Sequence, residues 1–404
     1  MNRFLKSRWP GAVLAFLLIL LVVLSPAGAS EVPDGEIGSW GPYLTLVDGP
    51  TPVVNWRTER EVVGRVEYGR LERYLETGNL GKTIEEEDGA GNFHHLRLEG
   101  LSPGKEYAYR VSPGKEGVFR FKSPREEAED FDFLVYGDTQ TCPIRHRLVA
   151  SEMAEDSTDP TFVLHSGDLV KSPIDSRWSD FFWANAPFST STPLMPALGN
   201  HENDDDSYYK AFALPEGGGR YGKEWYSFEY GPVKFIILDS NAGQIGLKRF
   251  SEEKAWLEEE LKNQTRPGTV VVFHHPMYSS VYSTGVDSGL EKSWGSLFEK
   301  YGVDLVLSGH MHSYERIEKS GTTYVVAGGG GGPSGYLEGQ FDFSRKTRGN
   351  SLHYLRARVE DEEIKLQAVE VASVGYVEGI EDSPCSFDLS LTRSVFDEVT
   401  VDLD

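Results

Sequence analysis

Short apolar runs separated by turn residues mark the chain from residue 36 onward. Between 36 and 125 the runs are brief and alternate with polar positions: Val53-Val54-Asn55-Trp56, Gly64-Arg65-Val66-Glu67-Tyr68, His94-His95-Leu96-Arg97-Leu98 and Glu106-Tyr107-Ala108-Tyr109-Arg110-Val111. Turn signals, Leu101-Ser102-Pro103-Gly104 above all, lie between them, and this spacing predicts an all-β sandwich over 36–125. A charged linker, Ser123 to Asp130, follows. From Phe131 apolar runs alternate with helical stretches. Strands are expected over 133–136, 162–164, 193–198, 225–230, 233–239, 270–273, 305–307 and 324–326, and helices over 147–155, 176–186, 207–212, 251–263 and 290–301. The expected fold class is therefore an N-terminal all-β sandwich followed by an α/β layered domain, a β-sheet sandwich flanked by helices, over 130–375. Two strands within 354–371 finish that domain, and 376–404 reads as an acidic, irregular tail without chemistry.

Five of the expected strands end in residues of one chemical kind. Phe133-Leu134-Val135-Tyr136 leads into Gly137-Asp138, and Phe162-Val163-Leu164 precedes Gly167-Asp168. Pro193 to Leu198 runs into Gly199-Asn200-His201-Glu202. Val270-Val271-Val272-Phe273 precedes His274-His275-Pro276, and Leu305-Val306-Leu307 precedes Gly309-His310-Met311-His312. Open α/β sheets place their sites just past the carboxyl ends of strands. Carboxylates, an Asn oxygen and imidazoles gathered there are the donor set of a site for two metal ions. A single Gly-Asn-His turn is a weak signal; the ordered set is a strong one.

Composition narrows the picture. The formal net charge is −23, from 40 basic and 63 acidic residues. Nucleic acid and anionic membrane surfaces are bound by basic patches, so no nucleic-acid binding is expected. Met1 to Ser30 carries Arg3, Lys6 and Arg8, then an apolar stretch from Gly11 to Leu24 and small residues at Pro26-Ala27-Gly28-Ala29. This is the pattern of an export signal over 1–29, cleaved after Ala29 or retained as an anchor, with no stable membrane insertion unless it stays uncleaved. The folded part is expected outside the cytoplasm: secreted, periplasmic or at the cell surface. Export permits a disulfide between the two cysteines, Cys142 and Cys385, and equally permits two free ones. His94 and His95 are adjacent in an expected strand, point to opposite faces, and read as structural. The run Gly328 to Gly332 reads either as a close backbone approach to the site or as a flexible loop.

Gly137-Asp138, Gly167-Asp168, Gly199-Asn200-His201-Glu202, His274 with Pro276, and Gly309-His310-Met311-His312-Ser313-Tyr314-Glu315-Arg316 together resemble the calcineurin-like metallophosphoesterases. The purple acid phosphatase-like branch, with its N-terminal fibronectin type III-like domain, is the nearest match, and the resemblance spans nearly the whole mature chain. It implies a metallophosphatase domain over 130–375 holding two metal ions (Fe, Mn or Zn). Asp138 and His312 would hold the first metal, Asp168 would bridge, and Asn200, His274 and His310 would hold the second. His201 would contact the phosphate and protonate the leaving oxygen. The implied substrate is a small phosphate ester, a phosphomonoester first, hydrolysed by a metal-activated water. Diesterase or nucleotidase activity, or a non-catalytic exported binding protein, are the alternatives. The match has a gap. The wider family often has His where Gln140 stands, and the purple acid phosphatases have a Tyr ligand where Lys171 stands. Gln140 and His146 are the candidates to fill the first site, and His275 lines the substrate pocket or supports its neighbour.

Overall fold

The computed structural model describes residues 39–125, 128–280, 286–333, 342–375, 385 and 388–403. The expected export signal over 1–29 lies outside the described residues. Among the described residues no helix is long and apolar enough to cross a membrane.

The N-terminal elements are β1 (Trp40–Val47), β2 (Thr51–Val62), β3 (Arg65–Arg70), α1 (Leu71–Thr77), β4 (Lys82–Glu85), β5 (Gly91–Arg97), β6 (Glu106–Ser112) and β7 (Phe119–Lys122). They form a sheet ordered β1-β2-β5 and a second ordered β4-β3-β6-β7. Leu44, Val54 and Trp56 of the first sheet meet Val66, Tyr68, Tyr109 and Phe121 of the second in one buried cluster. Each such buried side chain contributes roughly 1.5–3 kcal/mol. His94 stacks on Trp56 at 4.6 Å and bonds Glu86, while His95 bonds Asn55 and the Lys210 carbonyl.

The second half carries β8 (Phe131–Tyr136), α2 (Pro143–Ala154), β9 (Phe162–His165), α3 (Asp175–Ser189), β10 (Leu194–Pro196), α4 (Asp206–Ala211), β11 (Tyr226–Tyr230), β12 (Val233–Ile237), α5 (Ala242–Lys262), β13 (Gly268–Val272), β14 (Leu305–Ser308), β15 (Tyr314–Lys319), β16 (Thr322–Ala327), β17 (Ser344–Arg348), β18 (Ser351–Glu360), β19 (Glu363–Gly375) and β20 (Asp388–Asp402). One sheet is ordered β10-β9-β8-β18-β19-β20 and the other β11-β12-β13-β14-β16-β15-β17. The period-2 side-chain alternation of strands explains the layering. Phe235, Ile237, Val270, Val272, Leu305 and Leu307 point inward to the first sheet, where Phe235 meets Phe133 and Phe162 at 5.4 and 5.1 Å. Ile236, Val271 and Val306 point outward against Leu257 and Leu261 of α5 and against Trp294 and Phe298. The β-sandwich docks on this body through Tyr43, stacked on Phe182 at 4.2 Å, and through the Tyr109 hydroxyl, which donates to the Thr190 carbonyl at 2.7 Å.

Two features depart from the expectation. The tail is not irregular throughout, since β20 pairs antiparallel with β19 along its length. Leu389, Leu391, Val395, Val399 and Val401 occupy alternate positions, a strand signal diluted by the acidic residues between them. Helix α5 starts at Ala242, before the expected Ser251, and breaks its helical geometry at Gly246, whose φ is 81°. Of the alternatives open for the cysteines, the structure takes the disulfide: Cys142, at the start of α2, pairs with Cys385. That bond spans 243 residues. Cys385→Ser should lower unfolding free energy by about 2–4 kcal/mol in guanidinium titrations, and a reductant should shift only the native protein. Identical midpoints for the two proteins without reductant would show that the bond contributes nothing.

Candidate metal centre

β8, β9 and β10 are parallel neighbours in the first sheet, and β12, β13, β14 and β16 are parallel in the second. Asp138, Asp168 and Asn200 follow β8, β9 and β10; His274 and His310 follow β13 and β14. The ligand-type residues therefore meet where the carboxyl ends of both sheets come together. The turns that carry them are sharp. Asp138, Asp168 and His310 each sit in the left-handed region, at φ 59°, 56° and 66°. Such conformations cost about 1–3 kcal/mol each and persist where surrounding contacts impose them. Glycine permits the close approach: a Cβ on Gly199 would stand 2.1 Å from the Asp168 nitrogen. The glycine run passes beneath the centre as buried backbone, with Gly330 donating to Gly137 at 2.8 Å and Gly332 to Asp138 at 2.7 Å. A Cβ on Gly328 would stand 2.9 Å from the Asp138 carboxylate. Of its two readings, the close approach is the one observed.

The donors fall into two groups. Ligand atoms of Asp138, Asp168 and His312 lie within 4.8 Å of one another, as do those of His274, His275 and His310. Asn200 joins the second group, its Oδ1 being 3.1 Å from His274 Nε2. Asp168 connects the groups, since its Oδ2 is 3.2 Å from His274 Nε2 and 3.1 Å from Gln140 Nε2. Asp138 and Asp168 are buried to 0% and 1% exposure, and among the described residues no Lys or Arg pairs with either.

Hydrogen bonds set the ring tautomers. His274 Nδ1 faces the Ser166 carbonyl at 2.9 Å, and His312 Nδ1 faces the Pro333 carbonyl. A carbonyl only accepts, so both rings carry a proton on Nδ1 and turn Nε2 into the centre, the arrangement of metal-bound histidines. Charge tells the same story. Burial opposes a proton on His274, yet the carboxylates of Asp168 and Asp138 outweigh it and push its pKa up to about 10. Burial likewise opposes charge on Asp168, yet His274 and His201 hold its carboxyl well below the usual range. Burial and the neighbouring His274 push His310 down to about 4, and burial with His274 and His310 pushes His275 to about 2. Burial opposes charge on His312 as well, yet the Asp138 carboxylate raises its pKa, so the pocket draws protons to the rings beside its carboxylates, where cations would sit. The donor set fits two metal ions, whose binding would displace those protons.

Gln140 belongs to the first group. Its Nε2 lies 3.0 Å from His312 Nε2, and its buried Oε1 has no partner among the described residues, an oxygen placed to meet a cation. His146 does not belong there. It faces the core from α2, with Nε2 3.3 Å from the Tyr136 hydroxyl and its ring 5.2 Å from Phe181, and burial and Arg147 push its pKa to about 3. Helix phase decides this, because His146 shares the buried face of α2 with Val149, Ala150 and Met153. His201 stands at the rim. Its backbone nitrogen donates to Asp168 Oδ1 at 2.9 Å, its Nδ1 faces the Lys171 carbonyl at 3.0 Å, and its Nε2 is 3.9 Å from Asp168 Oδ2. The Tyr314 hydroxyl is engaged elsewhere, donating to Asp397 at 2.7 Å.

The sequence model of the calcineurin-like phosphoesterase family matches residues 131–314. Human acid phosphatase type 7 is 32% identical over 361 residues, covering 76% of this chain and 77% of that protein. The chain belongs to the calcineurin-like phosphoesterase family. Within the family it is also 30% identical over 325 residues to an uncharacterized protein of Mycobacterium tuberculosis, covering 65% of this chain and 59% of that protein. The chain thus spans about three fifths of the length of that relative. The structure of a purple acid phosphatase from yellow lupin (Lupinus luteus) seeds shares the fold with a TM-score of 0.71 at 18% identity, covering 89% of this chain and 74% of that one.

Two residues of this centre had no role assigned from sequence. Ser240 follows β12 and bonds His275, a place that the strand-end rule would have marked. Glu202 was visible in its motif, but its work depends on the fold. Its carboxylate accepts the backbone N–H groups of Asp168 at 3.0 Å, Val170 at 3.1 Å and Gly199 at 2.7 Å, tying the two ligand turns together. Glu202→Ala leaves these three buried donors without their acceptor, at about 1–3 kcal/mol each. The variant should unfold at markedly lower denaturant and bind less metal per chain on elemental analysis. Native stability together with full metal content would show that Glu202 does not hold the turns.

Proposed function

We propose that this chain is an exported phosphoesterase that uses two metal ions to hydrolyse phosphate esters, with phosphomonoesters its main substrates. One observation carries the reading: two buried carboxylates, unpaired by Lys or Arg among the described residues, lie among imidazoles whose protons are turned outward onto carbonyls. Asp138, Gln140, Asp168 and His312 would hold the first ion, and Asp168, Asn200, His274 and His310 the second. Bound there, the ions would supply a water activated near neutral pH and positive charge for the phosphoryl oxygens. The relatives named acid phosphatase support the monoester preference. Export is supported by the segment over 1–29 and by the Cys142–Cys385 disulfide, which suits an oxidising compartment. Lys171 stands where the resembled phosphatases place a tyrosine ligand, so that phenolate oxygen is not supplied here. The neutral amide of Gln140 in its place favours divalent Mn, Fe or Zn over a ferric ion.

The protein's own residues do the rest. The Lys171 carbonyl accepts the Nδ1 proton of His201 and so holds Nε2 over the centre. Once charged, His201 donates its Nε2 proton to the departing alcohol oxygen, the work of a general acid. Chelation of the purified protein should abolish hydrolysis of a chromogenic phosphomonoester, and added Mn²⁺ or Zn²⁺ should restore it. His201→Ala should lower kcat by about 10²–10⁴-fold while retaining the same metal count. Turnover by the metal-free protein, or loss of metal from His201→Ala, would contradict the assignment.

A further inference from the structure

His275 lies among the second group of donors, and nothing in its position alone separates a ligand from a substrate contact. Its hydrogen bonds do. The Ser240 hydroxyl oxygen accepts the backbone N–H of His275 at 2.9 Å and stands 3.0 Å from His275 Nδ1. Ser240 is 6% exposed, and among the described residues its hydroxyl meets no other group. A serine hydroxyl has one proton to give. Were His275 protonated on Nδ1, the ring and the backbone would both donate to that oxygen and the buried hydroxyl proton would have no acceptor. With Nδ1 unprotonated, every group is satisfied: the backbone N–H donates to the hydroxyl, and the hydroxyl donates to Nδ1. The ring proton then sits on Nε2, which has no partner among the described residues and is not sealed from solvent.

This is the reverse of His274 and His312, whose Nδ1 atoms face carbonyls and whose Nε2 atoms face the ligand cluster. His275 has no free lone pair; it presents an N–H beside rings 5.0 Å (His274) and 4.3 Å (His310) away. We propose that His275 binds a phosphoryl oxygen of the substrate as a neutral Nε2–H donor, and that Ser240 is the positioning residue that fixes this tautomer. The proposal rests on the phosphoesterase reading for its substrate, while the tautomer stands without it.

Long-range ¹H–¹⁵N spectra of the zinc-loaded protein, labelled at histidine, test the tautomer directly. The expected His275 signals are those of a protonated Nε2 and an unprotonated Nδ1 that is not bound to metal. Ser240→Ala should mix the tautomers, weaken inorganic phosphate binding by about 3–10-fold and raise KM more than it lowers kcat, with metal content unchanged. Ser240→Thr, which keeps the hydroxyl, should restore all three readouts. His275→Ala should keep both metals and lose phosphate affinity. A metal-bound nitrogen on His275, a protonated Nδ1, or loss of an ion from His275→Ala would overturn the proposal. Absence of turnover with the expected spectra and phosphate affinity would instead count against the phosphoesterase reading alone.

Discussion

Two carboxylates held in the dry interior, without a Lys or Arg beside either among the described residues, are the constraint on which the rest of this protein turns. Removing a carboxylate from water costs several kcal/mol unless charge of opposite sign compensates it. Here imidazoles and backbone N–H groups supply part of that compensation. His201 and His310 each donate a main-chain N–H to a carboxylate, and these bonds require the tight turns in which the ligands sit. The left-handed conformations at Asp138, Asp168 and His310 are the local cost of pointing so many donors at one place. The remainder is left to cations, which is why the site reads as a metal centre and not as a structural ion pair.

Orientation is the second layer of control. An imidazole can serve as ligand, proton donor or hydrogen-bond donor, and which one depends on the atom its far nitrogen meets. Backbone carbonyls from Ser166, Lys171 and Pro333 fix three of the rings one way, while a serine hydroxyl fixes His275 the other way. The two-sheet frame makes this possible. It brings carbonyls and ligands from distant parts of the chain to a common edge, with Pro333 placed by the buried glycine run and Ser166 by the turn after β9.

Much of this was legible in the sequence, because strand-end position and donor chemistry are both local. The layered fold and the gathering of Asp138, Asp168, Asn200, His274, His310 and His312 follow from apolar runs that end in ligand-type residues. What was not legible depends on long-range placement. His146 has the right chemistry and a near position, yet the phase of α2 turns it into the core. Gln140 was a candidate for the first site alongside His146, and only the fold, which sets its amide between Asp168 and His312, separates the two. β20 hides its alternation among acidic residues, and it forms because β19 offers a free edge. The Cys142–Cys385 pairing joins residues too far apart for spacing to suggest it.

The proposed centre depends on Asp168 being shared by two metal ions. Metal stoichiometry and affinity, measured by titration on native protein, Asp168→Asn and Asn200→Ala, test it most directly. The expected result is two divalent ions per native chain, weakening of both sites by Asp168→Asn, and weakening of one by Asn200→Ala. A native chain that binds a single ion, or an Asp168→Asn variant that keeps one site at native affinity, would contradict it.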